Sequence, residues 1–192
     1  MSHIPFPRNH PNFPGVDNQL NAVLNQIRAA VAGSASQALW VSCRLNRTGA
    51  TVPSPVFVGW IEDPAARNLR TTNHHQHAPA DTRINDTHVS SLYKKCFAVR
   101  PGEVVKRDWS ADKADPTSQE LGKIYYGETH RRSMPIVLGN QYVGTLNVAF
   151  KGDPTAKDPE IKQVLEDWAQ KPTSALITHI QHQCEVSKLP CP

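Results

Sequence analysis

Apolar residues recur at helical spacing from Asp17 onward. Leu20, Val23, Leu24, Ile27, Ala30 and Val31 fall on one face of a 3.6-residue period. Asp17 is placed to cap that helix and Gly33 to stop it. From Ala38 to Leu45 the period becomes two: Leu39, Val41, Cys43 and Leu45 alternate with Trp40, Ser42 and Arg44. Successive side chains of a strand point to opposite faces, so this strand has one apolar and one mixed face. Val56–Ile61 is apolar on both faces, as a covered strand would be, and Gly49, Pro53 and Pro55 mark the turn before it.

Residues 62–82 are polar and irregular. Ser90–Val99 predicts a short helix that Pro101-Gly102 ends, and Glu103–Trp109 a short strand. Residues 110–128 read as loop, with a turn of helix at Ser118–Tyr125. Arg131–Leu138 and Gln141–Phe150 flank Gly139-Asn140, which predicts a hairpin. From Asp158 or Pro159, the positions Ile161, Val164, Leu165, Trp168, Ala169, Ala175, Leu176 and Ile180 predict a long helix, which Pro172 kinks or interrupts. Ahead of these elements, Pro5, Pro7, Pro11 and Pro14 make residues 1–16 an extended arm. The expected organisation is that arm, one domain over residues 17–183, and a tail over 184–192.

A chain of 192 residues, 39% hydrophobic and 20% charged, suits a single core and is too apolar for a wholly disordered chain. No run of about eighteen apolar residues is present, so no membrane partner is expected. The N-terminus lacks the apolar stretch of a secretory signal, which points to a cytoplasmic protein. The net charge of +4 is mild and spread along the chain, so no nucleic-acid partner is expected either. Cys43 and Cys96 fall in apolar surroundings and read as small buried hydrophobes, whereas Cys184 and Cys191, near the chain end, read as exposed.

The hairpin carries a resemblance. Met134-Pro135-Ile136, the short polar turn, and Val143-Gly144-Thr145-Leu146, followed by a loop and a helix from Asp158, resemble the C-terminal half of a GAF domain. The match is specific over residues 130–182 and topological over 17–110. It implies an α/β (α+β) fold with a central antiparallel sheet of five or six strands. The terminal helices would cover one face of that sheet. A variable loop and helix segment would cover a pocket on the other. It also implies a sensory or regulatory protein that binds a small molecule, and a homodimer through the helices at 17–32 and 159–182. The Asn-Lys-x-x-Phe-Asp-Glu pattern of the cyclic-nucleotide binders is absent, so the cofactor or ligand stays unassigned.

The mixed strand faces hold the candidate ligand-binding residues. Trp40, Ser42 and Arg44 share a face in one strand; Thr145 and Asn147 share a face opposite Leu146 and Val148 in another. A buried Asn or Ser needs a hydrogen-bond partner, which a ligand supplies on one reading and the backbone or water on the other. Trp60 reads as core or as a ligand platform. Arg131 can clamp an anionic ligand in bidentate fashion, with Trp109 and Tyr126 lining the same pocket; otherwise Arg131 and Arg132 are surface charges. His74, His75 and His77 are metal-capable residues in a polar run without acidic or cysteine neighbours at ligand spacing, and read as a solvated loop. His130, His179 and His182 stand apart and read as surface residues.

No nucleophile elbow, P-loop, dinucleotide fingerprint or His-Glu-x-x-His run is present, so no catalytic residue is assigned. Two alternatives to a sensor remain. One is a redox enzyme on the same fold, like the free methionine sulfoxide reductases, pairing Cys96 with Cys43 or a tail cysteine. The other is a protein-interaction module with a filled interior and no ligand.

Overall fold

The computed structural model describes residues 16–46, 55–63, 96, 98–108, 128–138 and 141–187. The elements in chain order are α1 (Val16–Ala30), β1 (Gln37–Asn46), β2 (Pro55–Glu62), β3 (Val105–Asp108), β4 (His130–Leu138) and β5 (Gln141–Lys151). A 3-10 turn at Thr155–Lys157 then leads into α2 (Asp158–Ala169) and α3 (Ala175–Ser187). All strand pairs are antiparallel, and the described strands form one sheet in the order β2-β1-β5-β4-β3.

The helices lie on one face of this sheet. Val16, Leu20, Val23, Leu24 and Ile27, spaced three and four apart on α1, are buried with Ile161, Leu165 and Ala169 of α2 and Leu176, Ile177 and Ile180 of α3. The sheet answers with Ala38, Val41, Cys43, Met134, Ile136, Leu146, Val148 and Phe150. This apolar layer is the main core among the described residues.

Two expectations need correction. Asp17 lies inside α1 rather than at its cap, since the helix already includes Val16. Leu39 is buried but does not join the helix-side core. A register shift between Ala38 and Trp40 in the β1–β5 pairing puts Ala38 opposite Phe150 instead, as a β-bulge does when one residue is left over. The interruption expected at Pro172 is present and divides the closing helix in two. α2 stops at Ala169, and α3 opens at Ala175 behind Ser174, whose Oγ accepts a hydrogen bond from Ile177 N at 3.1 Å. Pro172 falls in the break between them, as its missing N–H requires.

The two arginines that open β4 go to opposite faces. Arg132 turns toward the helices and grips Asp158, the first residue of α2, at 2.7 and 3.3 Å. Lys106 of β3 reaches the same carboxylate at 2.6 Å. The start of α2 is therefore tied to two strands. A carboxylate in the first turn also complements the helix dipole. No helix among the described residues is long and apolar enough to cross a membrane. Residues 1–15, the turn Gly139-Asn140, the turn expected at Ser118–Tyr125, and residues 188–192 lie outside the described residues.

Candidate functional site: the polar face of the sheet

The face turned away from the helices is buried too, but with polar side chains. Strand register sets them in rows. Ser42 of β1 pairs with Asn147 of β5, which pairs with Ser133 of β4, which pairs with Val105 of β3. Arg44 pairs with Thr145 in one neighbouring row. In the other, Trp40 pairs with Ala149, Ala149 with Arg131, and Arg131 with Arg107. Ser42, Thr145 and Ser133 have no exposed surface, and Trp40, Asn147, Arg44 and Arg107 are all buried.

These groups are organised by one another. The Asn147 amide donates to Thr145 Oγ1 at 3.1 Å, and to Thr145 O, Ser42 Oγ and Ser42 O at 3.4 Å each. Arg131 lays its guanidinium over the Trp40 ring, 4.8 Å from its centre, in a cation–π contact. The same guanidinium donates through Nε to Glu128 Oε1 at 2.7 Å and through Nη2 to Oε2 at 2.8 Å. That two-pronged geometry is the one by which arginine recognises a carboxylate. The Glu128 side chain is fully buried.

Cys96 packs with Val105 on this side of the sheet, whereas Cys43 belongs to the helix-side core. Burial pushes the Cys96 thiol up to about 12, against the opposing pull of the Arg44 and Arg131 charges and the Ser133 hydroxyl. Burial pushes Cys43 well above the ordinary thiol range. Both are protonated thiols at neutral pH and lie on opposite sides of the sheet, so they cannot act as a reactive pair with each other.

The structure thus brings together Trp40, Ser42, Arg44, Thr145 and Asn147, which share the mixed faces of their strands, with Arg131, expected as an anion clamp. Trp60 pairs in register with Ser42, but its side chain lies outside the described residues, as do Trp109, Tyr126, His74, His75 and His77. Arg131 and Arg132 are not surface charges: their side chains are 12% and 3% exposed. His130 is not a surface residue either. It is largely buried, with Nε2 3.7 Å from both Asp108 and Asp153 and Nδ1 2.9 Å from Thr129 Oγ1.

Sequence reasoning missed Arg107, Ser133 and Glu128. Counting back from Asn147 through the turn gives Arg132; the register shift between Ile136 and Val137 puts Ser133 there instead, and nothing in the sequence marks that shift. Glu128 had no periodic signal, because it lies ahead of the strand. Arg107 had none, because β3 is too short to show a period. Among the described residues no cluster of histidine, cysteine or acidic side chains can hold a metal ion.

Two cavities lie elsewhere. One, of about 510 Å³, sits between Val137, Leu138 and Tyr142 of the hairpin and Pro172 and Ile177 beside the helix break. The other, of about 660 Å³, lies between Arg100–Val104 and the start of α2. Neither is lined by Trp40, Asn147 or Arg131.

No protein-family model matches the sequence, and no curated protein matches it. Solved structures do. A GAF domain/HD domain protein from Geobacter sulfurreducens superposes with a TM-score of 0.52 at 13% identity, over 92% of this chain and 99% of that one. The photoproduct state of a GAF domain from Synechocystis gives 0.51 at 14% identity, over 91% and 99%. The blue-light absorbing form of a GAF domain from Thermosynechococcus elongatus gives 0.50 at 10% identity, over 90% and 89%. By these likenesses this chain has a GAF-like fold.

Proposed function

We propose that this protein is a cytoplasmic sensory domain that binds a small, anionic molecule on the polar face of its sheet. The observation that carries the reading is the row Ser42–Asn147–Ser133, with Arg44, Arg107 and Arg131 beside it, buried on the face opposite a complete apolar core. Burying polar groups without need costs stability, so a whole face of them is better explained by recognition than by packing. The named states of two similar GAF domains, a photoproduct and a blue-light absorbing form, are states that change with light, and they support a sensory role. Ligand binding shifts the population of conformers, and the helices behind the sheet pass the change on. A homodimer through α1 and the two closing helices belongs to the same reading. The outward α1 positions Asn18, Asn21, Asn25 and Arg28 are exposed and polar, so such an interface would be joined there by hydrogen bonds rather than by apolar packing.

A thermal-shift screen of metabolites tests this. The wild type should be stabilised by one class of anionic compound, and Asn147→Leu should abolish that shift while keeping the fold. A second reading, the interaction module without a ligand, is favoured by one observation: Ser42, Asn147 and Thr145 satisfy one another. It predicts no stabilising compound, and a specific protein partner instead.

A further inference from the structure

The ion pair between Glu128 and Arg131 is an unusual use of a fully buried carboxylate. Glu128 is not part of the sheet: it stands two residues before β4. Thr129, the next residue, is fastened: its N–H donates to Phe150 O at 2.8 Å, and its Oγ1 accepts from Gly152 N at 2.9 Å. Arg131 is fastened as well, paired in register with Ala149 and Arg107 and laid over Trp40. One partner of the pair is thus on the rigid sheet, and the other is on a connection ahead of a fixed point. A buried ion pair contributes little net stability compared with apolar packing, because both charges are desolvated. What it does supply is a carboxylate-shaped seat, with two parallel N–H donors over an aromatic floor.

We propose that Glu128 is an internal stand-in for the ligand: a carboxylate-bearing small molecule takes Arg131 Nε and Nη2 over Trp40, and Glu128 must leave for it to bind. This rests on the polar face being the ligand site, and it adds the ligand's chemical class and the device that regulates its entry. No covalent step is involved; one carboxylate exchanges for another at the same two donors. Because Glu128 competes from within, the apparent affinity is lowered by the fraction of time that it occupies the seat.

The test uses propionate, which carries the end of the Glu side chain, with propionamide as the neutral control at equal ionic strength. In Glu128→Ala, propionate should raise the melting temperature and propionamide should not, and adding Arg131→Gln should remove the effect. In Glu128→Gln, which keeps the volume and loses the charge, propionate should bind about tenfold or more tightly than in the wild type, read by tryptophan fluorescence. Should Glu128→Ala fail to fold, the Glu128→Gln comparison decides alone. Equal propionate affinity in Glu128→Gln and wild type would overturn the proposal. A metabolite whose binding is abolished by Asn147→Leu yet indifferent to Glu128→Gln would overturn the seat and leave the polar face standing as the ligand site.

Discussion

At the scale of single residues, the demands of close packing are sharpest at Gly152. Its φ is +83°, and a Cβ there would lie 2.6 Å from the Ala35 carbonyl oxygen, a backbone atom that cannot turn aside. Gly152→Ala should therefore destabilise the protein by about 2 kcal/mol, seen as a lower urea midpoint with an unchanged slope. The thiols supply a pH dependence with a definite sign. In the unfolded chain Cys96 titrates near its ordinary value of 9.0, but in the folded chain only at about 12. Between those values the folded state holds the extra proton, so the Cys96 contribution is fully present below pH 9 and is lost as the pH rises toward 12. Urea melts of Cys96→Ala should show a shallower loss of stability over that window. At pH 8, native Cys43 and Cys96 should resist alkylation, read by peptide mass; rapid labelling of Cys96 would contradict its burial. At this scale the sequence was informative where side chains alternate and silent where a residue acts alone. Asn147 was visible by its period; Gly152 was not, because the neighbour it must clear comes from the α1–β1 connection.

The elements show the same division. α1, β1 and the β4–β5 hairpin were legible because each has a long run of one period against a single core. The interruption of the last helix was visible in Pro172, but its restart was not located. The restart depends on the Ser174 hydroxyl receiving the Ile177 amide while itself donating to Trp168 O at 2.6 Å. Ser174→Ala should cost about 1 kcal/mol, the usual worth of a helix cap, measured by thermal or urea unfolding. The tie between β4 and α2 was hidden altogether, since Arg132 and Asp158 are 26 residues apart. Removing one partner leaves the other charge largely buried. Arg132→Ala should cost about 2 kcal/mol, the worth of a hydrogen bond to a charged group, because Lys106 still holds Asp158, whereas Arg132→Met with Asp158→Asn should cost less than the sum of the single changes. Additive losses in that double-mutant cycle would contradict the tie.

For the whole molecule, the organising feature is a sheet with two buried faces of different character. One is apolar and closed by three helices; the other carries serine, threonine, asparagine and arginine. The fold was legible from element order and the hairpin pattern. The polar face was legible only in part. Strand alternation says which residues share a face. Cross-strand register decides which of them meet, and a one-residue bulge such as the one beside Leu39 changes that answer. We propose that this polar face holds a small molecule. Native mass spectrometry of freshly purified protein, beside the same sample denatured and beside Asn147→Leu, tests it most directly. The folded wild type should carry a reproducible added mass that is lost on denaturation and missing from the variant. An added mass that Asn147→Leu retains in full, or a wild type that stays bare even in the presence of every compound class screened, would contradict it.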